Sequence, residues 1–167
     1  MGLTALIVCL SSLVSTHVLE DDGASKPTDL DFWVGDWVMD SRQPQDKPSK
    51  GEWQKNAATN HITRVYGSKV IQESFKTTGF TGGSWSSFDP STKTWHQTWV
   101  DDSGAYLLFT GGMKGDEFVL DQTNTKKGQA RMRFANITKS GFDWYWESST
   151  DGTQWTLNWH LKYHRKK

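Results

Sequence analysis

Two side chains in this sequence have the means to do chemistry in surroundings that are otherwise aromatic. In VIQESF, residues 70–75, the alternation of a strand puts Ile71, Glu73 and Phe75 on one face. In TWHQTWV, residues 94–100, it puts Gln97 between Trp95 and Trp99, with His96, Thr98 and Val100 opposite. A carboxylate or an amide on an apolar face is costly unless it is paired or solvated. Two arrangements meet that requirement. In the structural one, Glu73 pairs with Arg131 or Arg133, which share a face in RMR, or with Gln97 itself. In the functional one, Glu73, Gln97 and Ser84 form the polar end of a pocket that orients a ligand. A carboxylate placed there also has the reach of a general acid or base.

Other chemistries find less support. His160 and His164 fall on one strand face, opposite Trp159, so they are expected to point to solvent rather than hold haem or a metal. His61 and His96 fare no better, and no spacing matches a recognised metal site. Neither a nucleophile elbow nor a phosphate loop occurs, and no cofactor is expected. Asp101, Asp102 and Asp151 sit in WVDDSG and STDGTQW, which read as tight turns. The tripeptide NIT at residues 136–138 matches a glycosylation sequon on Asn136, a pattern that also arises by chance.

These residues need a scaffold, and 167 residues suffice for one domain with a sizeable core. Nineteen basic residues balance nineteen acidic ones, which argues against a nucleic-acid partner. Residues 3–14 form an apolar run too short to span a bilayer and of the right length for a secretory signal, with cleavage expected just before His17. The expected organisation is a signal at 1–16, a flexible polar leader at 17–29 and one domain at 30–167. The single cysteine, Cys9, lies in the signal, and Val8 before it does not suit a lipoprotein box. The mature chain would therefore have neither disulfide nor thiol chemistry, and its ten tryptophans supply the packing material.

From residue 51 onward, about ten short segments alternate with turns rich in Gly, Asp, Ser or Pro. A turn of helix is expected at TDLDFW, and residues 41–51 read as a loop. Close connections favour antiparallel neighbours, and hence an all-β barrel or sandwich. In the last segment Trp155, Leu157, Trp159, Leu161 and Tyr163 alternate with polar residues, so all five are expected to face inward. Phe142, Trp144 and Trp146 share a face in the same way.

FWVGDW at residues 32–37 carries Gly35 and Trp37 in the Gly-x-Trp pattern that opens lipocalin-like barrels. With VIQESF, GGSWSSFDPSTKTWHQTWVDDSG, Gly111-Gly112, WESSTDGTQW and Tyr163 following in order, residues 31–165 resemble domain of unknown function 1579, a secreted calycin-like family. The resemblance implies a single antiparallel lipocalin-like barrel of about eight to ten strands with an internal cavity. It implies no reaction. It also implies that Trp37 closes one end of the barrel under a late basic residue, for which Arg165 is available. Trp144 stands where the family often has a polar residue, which makes the expected cavity more aromatic.

The leading expectation is a secreted or periplasmic barrel that binds a small apolar or aromatic ligand, without a membrane span. Trp95, Trp99 and Trp144 would hold the ligand, and Glu73, Gln97 and Ser84 would orient it. Trp155 and Trp159 are assigned to the inner wall, where filling the core and lining a cavity are compatible roles. A cofactor-free hydrolase or isomerase using Glu73 is the first alternative. A carbohydrate-binding module is the second, and it requires an exposed row of tryptophans.

Overall fold

The period-two patterning becomes ten strands in the computed structural model, which describes residues 24–44, 46–47 and 51–167. A 3-10 turn, Asp31–Trp33, comes first. The strands are β1 (Gly35–Arg42), β2 (Gln54–Val65), β3 (Val70–Thr77), β4 (Thr81–Asp89), β5 (Thr94–Asp101), β6 (Tyr106–Lys114), β7 (Glu117–Gln122), β8 (Gln129–Ala135), β9 (Gly141–Ser149) and β10 (Thr156–Arg165). Each strand pairs with its sequence neighbours, and β1 closes on β10, with Trp37 opposite Arg165 and Arg42 opposite His160. The fold is an all-β, closed, antiparallel lipocalin-like barrel with no free sheet edge. The expected signal at residues 1–16, with Cys9, lies outside the described residues, as do residues 17–23 of the leader. Further along, Ser25 Oγ accepts from the Met113 amide at 2.9 Å and the Lys26 carbonyl accepts from Trp95 Nε1 at 3.2 Å, so this part of the leader lies against the strands.

An up-and-down order sorts the connections onto two ends. The β2–β3, β4–β5, β6–β7 and β8–β9 turns share one end with the entry to β1, and the remaining connections share the other. The first end is plugged. Leu30, which caps the 3-10 turn, and Trp33 within it are fully buried, and Trp37 Nε1 donates to the Trp33 carbonyl at 2.7 Å. Trp37 meets Phe142 edge to face at 5.1 Å, and the Arg165 guanidinium lies 4.2 Å over its ring. Arg165 also donates to the carbonyls of Val34 and Lys139. Gly35 adopts φ +137°, and a Cβ there would overlap the Arg165 guanidinium, so only glycine fits. Phe118, Leu120, Phe134 and Trp95 fill the interior next to this plug.

One strand departs from strict alternation. The pairing of β10 with β9 shifts between Leu157, opposite Glu147, and Trp159, opposite Trp146, leaving Asn158 as the extra residue of a bulge. Trp159, Leu161 and Tyr163 face inward as expected. Leu157 is instead 36 % exposed, and Trp155 lies before β10, under the Arg131 guanidinium at 3.8 Å. The inward assignment of Trp155 and Leu157 is therefore corrected.

Candidate functional site

The half of the barrel away from the plug holds a cavity of about 230 Å³. Its wall comes from six of the ten strands: Glu73 and Phe75 from β3, Trp99 and Asp101 from β5, Leu107 and Phe109 from β6, Met132 from β8, Trp144 and Trp146 from β9, and Trp159, Leu161 and Tyr163 from β10. Phe80, in the β3–β4 turn, and Trp33, from the plug, complete it. Trp144 and Trp159 meet edge to face at 5.7 Å, as do Phe75 and Trp159 at 5.9 Å. This is an aromatic box, smaller than the cavities that take drug-sized ligands.

Its polar floor is built on Glu73. Register sets Glu73 opposite Ser84 on β4, and Ser84 Oγ donates to Glu73 Oε2 at 2.6 Å. Asn60, inward on β2 beside Ala58 and Ile62, donates from Nδ2 to Glu73 Oε1 at 2.6 Å and to the Tyr163 hydroxyl at 3.2 Å. The Trp33 Nε1–H faces that hydroxyl without hydrogen-bond geometry, and Asn60 Oδ1 is buried without a donor. Burial pushes the Glu73 carboxyl up to about 7, against the opposing pull of the Ser84 and Asn60 hydrogen bonds. Burial, with the Glu73 charge adding to it, also drives the Tyr163 phenol far above its ordinary range. Among the described residues, no lysine, arginine or histidine lines the cavity.

Asp101 contributes the second carboxylate of the wall. Its Oδ1 accepts from the Ser103 amide and hydroxyl and from the Ala105 amide, and its Oδ2 accepts from Trp99 Nε1 at 2.9 Å. Burial acts to raise its pKa, but these hydrogen bonds outweigh it and hold the carboxyl below its ordinary value. Trp99 reaches Asp101 because Gly82, opposite Asp101 on β4, has no side chain. A Cβ at Gly82 would run into the Trp99 ring.

The residues expected to form the site divide into three groups. Glu73, Trp99, Trp144 and Trp159 line the cavity, and Ser84 holds Glu73 from behind. Trp95 is buried at the plugged end, against Phe88 and Phe118, and is not part of the cavity wall. Gln97 is likewise buried away from the cavity, donating from Nε2 to Ser86 Oγ at 2.9 Å; Ser86 lies directly opposite it on β4. The pairing of Glu73 with Arg131 or Arg133 is not formed. Met132 and Phe134 take the inner face of β8, so both arginines point outward to Glu147, and Arg133 also reaches Glu117. Burial acts to raise the Glu147 pKa, but the two guanidiniums hold it low. Sequence reasoning missed Asn60, although its alternation with Ala58 and Ile62 carried the signal.

Outside the barrel, His160 Nε2 lies 2.8 Å from Asp143 and its ring packs on Tyr145 and Trp53, while His164 lies 3.3 Å from Asp40. Asp151 accepts from the amides of Thr153 and Gln154, the turn geometry expected of it. Asn136, at a left-handed φ of 52°, donates from Nδ2 to Asp143. Trp85 is the one tryptophan that is largely exposed, and it stacks on Tyr66 at 5.7 Å. The row of exposed tryptophans that carbohydrate binding requires is therefore not formed. Among the described residues, no helix is long and apolar enough to cross a membrane.

No protein-family model matches the chain, and no curated protein matches it in sequence. Its fold is similar to the crystal structure of Rv2717c from M. tuberculosis, with a TM-score of 0.54 and 11 % identity, over 86 % of this chain and 99 % of that one. At that identity the likeness shows the architecture alone: this chain is a closed antiparallel β-barrel of the same general design.

Proposed function

We propose that this barrel is a non-enzymatic binding protein, secreted or periplasmic, that holds a small apolar or aromatic molecule and orients it by one polar group. The observation that carries the reading is the cavity itself: an aromatic wall around the buried Glu73 carboxyl and its Asn60 and Ser84 donors, at the end opposite the plug. Closely packed interiors leave few voids larger than a water molecule, and an aromatic box with a few convergent polar groups is the usual form of a small-molecule site. Membership of the family named domain of unknown function 1579, drawn from the ordered motifs between residues 31 and 165, belongs to the same reading. Secretion rests on the apolar run at residues 3–14, and amino-terminal sequencing of the mature protein should begin at His17.

Leu107→Trp tests the cavity. Leu107 is half-buried on its wall, and the larger ring would occupy the ligand volume with little change to the packed end. Calorimetric titration with a panel of small aromatic molecules should find binding to the wild type and a loss of about tenfold or more in the variant. Equal binding by both proteins would place the ligand elsewhere.

A second reading is favoured by one observation, the Glu73 carboxyl held near 7, where a general acid or base is most effective. On that reading Glu73→Gln abolishes turnover of a bound substrate while binding persists. Binding without any turnover by the wild type excludes it.

A further inference from the structure

Charge on the cavity wall narrows the class of ligand. Glu73 and Asp101 both line the cavity, and among the described residues none that lines it carries a positive charge. The groups that meet Glu73 are neutral on every side: Asn60 from β2, Ser84 from β4 and Tyr163 from β10. The two arginines that the sequence offers as partners for Glu73, Arg131 and Arg133, are committed on the outer face to Glu147 and Glu117. Each Glu73 oxygen accepts one short hydrogen bond, and a carboxylate oxygen has capacity for a second. The same cavity is walled by the rings of Trp99, Trp144, Trp159 and Phe75, and the π face of an aromatic ring is itself negative.

We propose that the cavity selects an organic ammonium, a primary amine on a short aromatic or aliphatic body, with its nitrogen at Glu73 and its body among the tryptophans. The proposal rests on the binding reading given above and names its ligand class. A carboxylate beside aromatic faces attracts a cation twice over, by ion pairing and by cation–π contact. It repels an anion, and a neutral alcohol gains only a hydrogen bond. The cavity of about 230 Å³ sets the size, below that of a drug-like molecule. An ammonium at Glu73 also supplies the charge that the fold leaves uncompensated there.

The test uses near-isosteric probes that differ in charge: phenethylamine, 2-phenylethanol and 3-phenylpropanoate, together with the shorter pair benzylamine and benzyl alcohol. Calorimetric titration of the wild type at pH 8 should show an amine binding about tenfold or more tighter than its matching alcohol, with no binding of the propanoate. The amine remains protonated at pH 6 while Glu73 does not remain ionised, so its affinity should fall about tenfold between pH 8 and pH 6. Glu73→Gln, which keeps the side chain's shape, should erase the preference for amine and leave the alcohol bound. Equal affinity for amine and alcohol overturns the ammonium assignment, and a preference that survives in Glu73→Gln overturns the placement of the nitrogen at Glu73 and points to Asp101; either result leaves the cavity as a binding site. Failure of all five probes to bind the wild type contradicts the assignment and the binding reading together.

Discussion

Glu73 receives hydrogen bonds from Asn60 and Ser84, and neither donor carries charge. Two such bonds do not replace the water lost on burial, so its carboxyl sits near 7 in the fold against an ordinary value of 4.5. Between those values the folded chain binds more protons than the unfolded one. Stability from this residue is therefore fully present below about pH 4.5 and is lost as pH rises through about 7. The effect is on the order of 3 kcal/mol. Asp40, Asp143 and Glu147 have lowered values and act in the opposite sense at more acid pH, so the useful quantity is a difference between proteins. Urea unfolding across pH 4–8 should show Glu73→Gln gaining on the wild type as pH rises. Parallel profiles would mean that the Glu73 carboxyl keeps its ordinary value in the fold, solvated or hydrogen-bonded well enough to offset its burial; a wild type that gains as pH rises would mean that it is paired with a cation. The identity of Glu73 as a buried polar residue was legible from alternation with Ile71 and Phe75. Its partners were not, because alternation assigns a face within one strand and is silent on which residues of other strands stand opposite.

At the scale of the element, the same limit explains the fate of Gln97. Its inward direction follows from Trp95 and Trp99, yet the β4–β5 register sets it opposite Ser86, one inward position away from the Ser84–Glu73 pair. A shift of two residues along the sheet separates a side chain in the packed half from one at the cavity. In β10 the break is a single extra residue. Nothing in QWTLNWHLKY distinguishes Asn158 as a bulge, and alternation carried across it sends Trp155 and Leu157 to the wrong side. β4 supplies the clearest link from element to site. Gly82 lets the Trp99 ring lie across the strand and donate to Asp101. Gly82→Ala should displace that ring, cost about 1–3 kcal/mol by overpacking, and weaken ligand binding together with it. Urea unfolding and the emission of Trp99, read against Trp99→Phe, would check this. A variant with unchanged stability and binding would show that the ring has room elsewhere.

The whole molecule has two unlike halves, and the seven interior tryptophans divide between them, while Trp53, Trp85 and Trp155 lie outside. Trp37 and Trp95 fill the end closed by the 3-10 turn, while Trp99, Trp144, Trp146 and Trp159 line the open box, with Trp33 between the two. Filling a core and lining a cavity are thus both present, at opposite ends of one barrel. Strand alternation and turn spacing were enough to indicate an all-β barrel or sandwich, because each depends on local sequence, and the ordered motifs between residues 31 and 165 pointed to the barrel. The volume left inside depends on how ten strands close and how their rings interlock, and no local pattern encodes it. The central claim is that this volume belongs to a ligand. Native mass spectrometry of the mature protein from its own host, repeated on the same sample after denaturation, tests it most directly. One small molecule per chain is expected, released on denaturation, reduced or lost in Leu107→Trp and retained in Trp95→Phe, since Trp95 lies outside the cavity wall. A bare chain from the host, which also gains no mass when incubated with small aromatic molecules, would contradict it.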